Sequence, residues 1–287
     1  MKNKTFHVSV PATDEDLAAD RLWQLGVEAV GVGPDVDGMV ELWTSVGGST
    51  AAIERAAAAL EPHWTWRTAD VVAPDETWRD FAAPITYCTD GVVVPAWQLA
   101  DFAAPLGVLV TAIEPATSFG LGDHPTTTLS LRLLADRLAE RREKQRSDGA
   151  GVRSVASLLD VGCGSGVLGV MAAQRGVAVV RATDVSAGAV EATLANAALN
   201  RVSEQIEVDF AVLDDLAGPY DTVVANILAP VLVSLAPQLR RLTASSGELI
   251  ISGILAEEHG HVLDAFAPMH VVSTTTQGGW AAVLLRH

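Results

Sequence analysis

LLDVGCGSGVLG, residues 158–169, decides how the rest of this 287-residue chain is read. Its first four residues read as a buried strand ending at Val161. Gly162, Gly164 and Gly166 then turn the chain straight into a helix from Val167. Missing side chains let a ligand approach the backbone, and exposed amides at a helix N-terminus favour an anionic group. VAVVRATD reads as the next strand and ends in Asp184, 22 residues after Gly162. A carboxylate there can accept hydrogen bonds from both hydroxyls of a ribose. SVASLLDV opens an alternation of strands and helices that continues through a helix from Ser186, QIEVDF, YDTVVAN, a helix from Pro230, and ELIISGI. Such alternation predicts an α/β, Rossmann-like domain whose mostly parallel sheet carries helices on both faces. The end breaks the pattern: MHVVSTTT and WAAVLLRH flank Gln277-Gly278-Gly279 and read as an antiparallel hairpin.

Two nucleoside cofactors suit a glycine turn followed by Asp184. Gly164-x-Gly166-x-x-Gly169 matches a dinucleotide fingerprint, so an NAD(P)-dependent oxidoreductase is one reading. The first glycine of a dinucleotide turn should follow its strand directly, however, and that residue is Gly162. DVGCGSG resembles instead the GxGxG turn of S-adenosylmethionine-dependent methyltransferases, whose sheet also ends with an antiparallel strand. Asn226, in DTVVANIL, falls at the end of the fourth parallel strand, on the sheet edge where ligands bind. Its carbonyl can accept a hydrogen bond from a substrate amine; the alternative is a cap on the next helix.

Upstream lies EPATSFGLGDHPTTT, residues 114–128, a loop with Phe119, Gly120 and Gly122 that could close over a cofactor. His124 can be read as a base or as a structural residue, and Thr126 or Thr127 can cap the helix that follows. In that helix Leu131, Leu134 and Leu138 share one face, and Arg141 to Arg146 read as its solvated end. Residues 1–73 predict a small α+β domain: a strand at 5–10, a helix opened by Thr13, a hairpin of VEAVGVG with GMVELWT, a helix from Ser49 or Thr50, and a strand WTWRTADVV. Residues 74–107, broken by Pro84, Gly91 and Pro95, read as a linker and connecting segment, and 108–287 as the catalytic domain.

Composition narrows the function. The chain is 49% hydrophobic and carries 35 acids against 19 Lys and Arg, a net charge of −16. Residues 1–120 hold 17 acids and 6 bases, so most of the excess lies there. That surface repels phosphate backbones and argues against direct nucleic-acid binding, while tolerating a basic partner. Cys88 and Cys163 are too far apart in sequence for a metal motif, and no metal cluster is expected. MKNKTFHVSV has no apolar signal core, and no run of about 18 apolar residues could span a bilayer, so a soluble, cytoplasmic protein is expected.

DETWRDF, VPAW, the loop 114–128, LLDVGCGSGVLG, the Asp of ATD, VANILAP with LAPQL, SGIL and GGWAAVLL follow one another over residues 74–287. In that order they resemble the PrmA-type methyltransferases of large-subunit ribosomal protein eleven. The resemblance implies a class I methyltransferase domain preceded by a small α+β substrate-recognition domain. It implies methyl transfer from S-adenosylmethionine to lysine side chains and/or the N-terminal amine of a basic ribosomal protein; a related lysine methyltransferase with another protein substrate is the alternative. Thr127, Gly162, Gly164, Gly166, Asp184 and Asn226 would contact the cofactor, Phe119 and Gly120 would lie over its methionine end, and Asn226 would face the amine. Two departures stand out: FGLG, with Leu121 where the family has a threonine, and an added polar stretch at about 141–154.

Overall fold

The computed structural model describes residues 4–287 except 26, 28, 29, 48, 71–81, 115–123, 148–156 and 258, and not the side chains of 70 and 145. The chain divides into two compact units, Met1–Phe81 and Ala82–His287. Each is taken by itself.

In the first unit, strand β1 (Lys4–Pro11) leads through a short 3-10 turn into helix α1 (Glu15–Trp23). Strands β2 (Val30–Val32) and β3 (Met39–Ser45) form the hairpin, and α2 (Thr50–Ala58) precedes β4 (Thr65–Asp70). The sheet order β2-β3-β1-β4 is antiparallel throughout, which is the split βαβ arrangement. Alternation in β1 points Phe6, Val8 and Val10 at the helices, where they meet Leu22, Leu42 and Trp64 in one core. The Ser49 hydroxyl caps α2 by accepting the Ala52 N–H at 3.2 Å. Thr13 does not cap α1: it lies inside the 3-10 turn and its hydroxyl donates to Asp14.

The second unit begins with a sheet where the sequence suggested only a connection. Strands β5 (Ile85–Cys88), β6 (Gly91–Pro95) and β7 (Leu109–Ile113) pair in order, β5-β6 antiparallel and β6-β7 parallel. The prolines bound these strands rather than break them, because Pro84 precedes β5 and Pro95 ends β6. The outer edge of β7 is closed by side-chain amides. Gln174 donates to the Val110 carbonyl at 3.0 Å, and Asn200 and Asn196 each accept from and donate to one peptide, those of Ala112 and Glu114.

Helix α3 (Pro125–Ser147) then leads toward the seven-stranded sheet. Its strands are β8 (Ser157–Val161), β9 (Val179–Thr183), β10 (Ile206–Asp209), β11 (Tyr220–Asn226), β12 (Thr243–Leu255), β13 (His270–Gln277) and β14 (Trp280–Arg286). Their order is β10-β9-β8-β11-β12-β14-β13. The first five run parallel and β14 runs against both neighbours. Helices α4 (Val167–Gln174) and α5 (Ala187–Leu199) follow β8 and β9, while α6 (Ala229–Leu242) and α7 (Gly260–Ala265) follow β11 and β12.

Two cores lie on opposite faces of this sheet. Leu158, Val224, Ile250 and Leu284 join Leu131, Leu134 and Leu138 of α3 and Met171 of α4. Leu159, Val223, Ile251 and Val283 join Leu232 and Leu239 of α6 and Phe266 beyond α7. The charged run of α3 is not wholly solvated: Arg141 reaches Glu248, 2% exposed on β12, at 3.1 Å. Arg137 reaches the same carboxylate at 2.8 Å, and Arg286 also engages it. Among the described residues no helix is long and apolar enough to cross a membrane.

Candidate active site

The parallel strands deliver Val161, Thr183, Asp209 and Asn226 to one edge of the sheet. The glycine turn leaves β8 at that edge with φ +70° at Gly162, +55° at Gly164 and +78° at Gly166, all left-handed. At Gly162 a Cβ would also fall 2.3 Å from Ile227 Cγ2, so no other residue fits there.

Four of the turn's amides are committed internally. Gly162 and Cys163 N–H donate to the Thr183 carbonyl at 2.9 and 3.2 Å, and Gly166 N–H donates to Cys163 O at 2.8 Å. Gly164 N–H donates to Asp184 Oδ2 at 2.9 Å. The exposed, anion-seeking amides expected from sequence are therefore absent at these four positions. Asp184 receives the Ser186 N–H on its other oxygen at 3.0 Å, which locks the carboxylate while leaving a lone pair on each oxygen.

Asn226 ends β11 beside this turn, since β11 and β8 are sheet neighbours with Ala225 opposite Val161. It is not the cap of α6, whose cap position is Leu228. Its amide Nδ2 donates to the hydroxyl of Thr127 at 3.4 Å. Behind it Gly253, with φ +85°, lies so close to Ile227 that a Cβ would sit 2.3 Å from the Ile227 carbonyl oxygen. ANIL and SGIL are thus one backbone crossing that fixes the end of β11.

The start of α3 is clasped from three sides. His124 O accepts the N–H groups of Thr127 and Thr128, and His124 Nδ1 lies 3.3 Å from the Thr126 N–H and 2.8 Å from its hydroxyl. The imidazole, in place of either threonine, occupies the cap position of α3, with its Nδ1 turned to the Thr126 N–H and hydroxyl. Its ring packs edge-on against Trp280 with centroids 5.1 Å apart. Ser252 donates to Thr126 O at 3.4 Å and to Ala281 O at 3.1 Å. Thr127, 1% exposed, is thereby held facing Asn226.

Three contributors were invisible as motifs. Asp160 is buried in β8; its Oδ2 accepts the Gly169 N–H at 3.1 Å and its Oδ1 has no hydrogen-bond partner among the described residues. Burial pushes its pKa up to about 7, against the Gly169 bond and with the Asp184 charge adding to the rise. The acid inside the apolar LLDV was the available signal. Thr193 and Asn196 of α5 donate to the carbonyls of Gly164 (3.2 Å) and Ser165 (2.9 Å). Burial raises the pKa of the Cys163 thiol and keeps it uncharged. Phe119, Gly120 and Leu121 lie outside the described residues. Among the described residues no three His, Cys, Asp or Glu side chains are grouped to hold a metal ion.

The strand order with its reversed β14, and a glycine turn facing an acid at the next strand end, define the class I methyltransferase fold. The chain belongs to the ribosomal protein L11 methyltransferase (PrmA) family, whose sequence model matches residues 13–287. A ribosomal protein L11 methyltransferase of Geotalea daltonii is 38% identical over 213 residues, covering 72% of this chain and 65% of that protein. The corresponding protein of Thiobacillus denitrificans is 37% identical over 194 residues, 67% of this chain and 58% of its own length. The matched region thus spans less than two thirds of these relatives. A crystal structure of a ribosomal protein L11 methylase from Lactobacillus delbrueckii subsp. bulgaricus superposes with a TM-score of 0.61 at 29% identity. It covers 72% of this chain and 100% of that one.

Proposed function

We propose that this chain is an S-adenosylmethionine-dependent protein N-methyltransferase. Its substrate would be lysine side chains and/or the N-terminal amine of a basic cytoplasmic ribosomal protein, the large-subunit protein L11. The observation that carries this reading is the pairing of a glycine turn that spends the amides of Gly162, Cys163, Gly164 and Gly166 internally with Asn226 on the adjacent strand. A dinucleotide needs free turn amides for its pyrophosphate; a nucleoside without phosphates does not. The same observation disfavours the oxidoreductase.

In this reading Asp184 holds the ribose hydroxyls, Gly162, Gly164 and Gly166 keep the floor of the site clear, and Thr127 and Asn226 flank the reacting end. Phe119 and Gly120 keep the cofactor role that the family resemblance implies. S-adenosylmethionine, when bound there, would supply an electrophilic methyl on a positively charged sulfur: an uncharged amine would bond to that carbon in line while the C–S electron pair stays with the departing sulfur. The Asn226 carbonyl accepts an amine N–H and so aims the nitrogen lone pair. An unperturbed lysine has a pKa of about 10.4, so the amine must shed its proton before attack, and desolvation in the site favours that neutral form. The chain then contributes alignment and water exclusion more than proton transfer. The first unit would grip the substrate protein.

Incubation with methyl-labelled S-adenosylmethionine and purified L11 should label L11; label only on a different protein would select the related-lysine-methyltransferase alternative, and no label on any protein would overturn the enzyme reading. Calorimetry should show S-adenosylhomocysteine binding to wild type and lost in Asp184→Ala, with no binding of NADH. Unchanged affinity in that variant would refute the ribose assignment.

A further inference from the structure

Asn196 carries more hydrogen bonds than the architecture of α5 requires. It is fully buried. Its Oδ1 accepts the Glu114 N–H at 2.9 Å, and its Nδ2 donates to Glu114 O and to Ser165 O, each at 2.9 Å. Both amide protons and the carbonyl are therefore used, and they link the residue directly after β7 to the middle of the glycine turn. Thr193, one turn earlier on the same face, donates to the preceding carbonyl, that of Gly164. With two successive turn carbonyls drawn toward α5, the N–H of Ser165, trans to the Gly164 carbonyl, points the opposite way.

Asn200, one turn later, provides a matched comparison. It pairs with both peptide groups of Ala112 (2.9 and 2.6 Å) as Asn196 does with Glu114, but its remaining bonds go to Asn196 O and Gln174. None of these bonds reaches the glycine turn. Both asparagines attach the small sheet; Asn196 alone also reaches the turn.

We propose that Asn196 is a positioning residue for the cofactor: by holding the Ser165 peptide against Glu114 it sets the orientation of the glycine turn. The proposal rests on the methyltransferase reading above. Without Asn196 the Ser165 carbonyl loses its bond to α5, and with it the tie that runs from the turn to the backbone after β7.

The test is calorimetric titration of S-adenosylhomocysteine into the full chain as wild type, Asn196→Ala, Asn196→Asp and Asn200→Ala, with a thermal melt of each. Asn196→Ala and Asn196→Asp should bind about tenfold or more weakly, since aspartate keeps the acceptor for Glu114 N–H but loses the donors to Ser165 O and Glu114 O. Asn200→Ala should melt as low as Asn196→Ala yet bind within about threefold of wild type. Equal loss of affinity in Asn196→Ala and Asn200→Ala, or none in Asn196→Ala, would overturn the proposal. Wild type failing to bind would instead overturn the methyltransferase reading. Should the Asn196 variants not fold, the wild-type side-chain amide resonances decide. Those of Asn196 should shift on adding S-adenosylhomocysteine while those of Asn200 stay; an unmoved Asn196 refutes the role.

Discussion

Asp160 sits in a strand between Leu159 and Val161, where an ionised carboxylate is costly and, among the described residues, only one oxygen has a donor. Its folded pKa of about 7 lies above the ordinary value of 3.8. Between those values the folded protein keeps a proton that the unfolded chain gives up. Asp160 therefore lowers stability as pH rises through that window, the loss being complete above about 7. Asp160→Asn should melt a few degrees higher than wild type at pH 8, with the gap closing toward pH 4. Equal melting at both ends would show that Asp160 ionises freely. The positions of Asp184 and the three turn glycines were legible in the sequence because their setting is local: strand end, turn, strand end. The sequence did not show the roles of Asp160 and Asn196, which depend on which peptide lies across from them. His124 was legible as a capping position only once Trp280 and the threonines were in place around it.

At the scale of elements, α3 is bolted to the sheet through one carboxylate. Burial alone would raise the pKa of Glu248, but hydrogen bonds from Arg137 and Arg286 and the Arg141 charge hold it below its usual value. Glu248→Ala should cost about 3–5 kcal/mol in urea denaturation, because three guanidinium groups lose their shared partner. A loss below about 1 kcal/mol would mean the pairing is only superficial. Periodicity found α3 and its Leu131, Leu134 and Leu138 face, all 2% exposed or less, because a 3.6-residue stripe needs no tertiary knowledge. It did not find β5 and β6. These strands are four and five residues long, and their flanking prolines are the same residues that mark a loop. Arg141 misled for a related reason, since a charged helix end looks identical whether it faces water or a buried acid.

For the whole molecule, the unit boundary sharpens the charge argument. Met1–Phe81 holds 14 acids and 6 bases, and Ala82–His287 holds 21 and 13, so each unit carries −8 although the first is less than half as long. If the first unit grips a basic protein, raising salt from roughly 0.05 to 0.3 M should weaken L11 binding several-fold while leaving S-adenosylhomocysteine affinity nearly unchanged. A salt-independent L11 affinity would remove charge from the account of recognition. The element order of the first unit was readable because its turns and alternation are regular. The proposed partner comes only from family resemblance, since a small α+β sandwich serves many purposes.

The row of amides along β7 has one more effect. An open strand edge is a template on which any extended chain can build, and proteins at cellular concentrations aggregate through such edges. Gln174, Asn200 and Asn196 fill that template with groups that satisfy its peptides yet present no new row of their own. Along β7 the small sheet therefore terminates in side chains, and this edge is a poor template for a neighbouring copy.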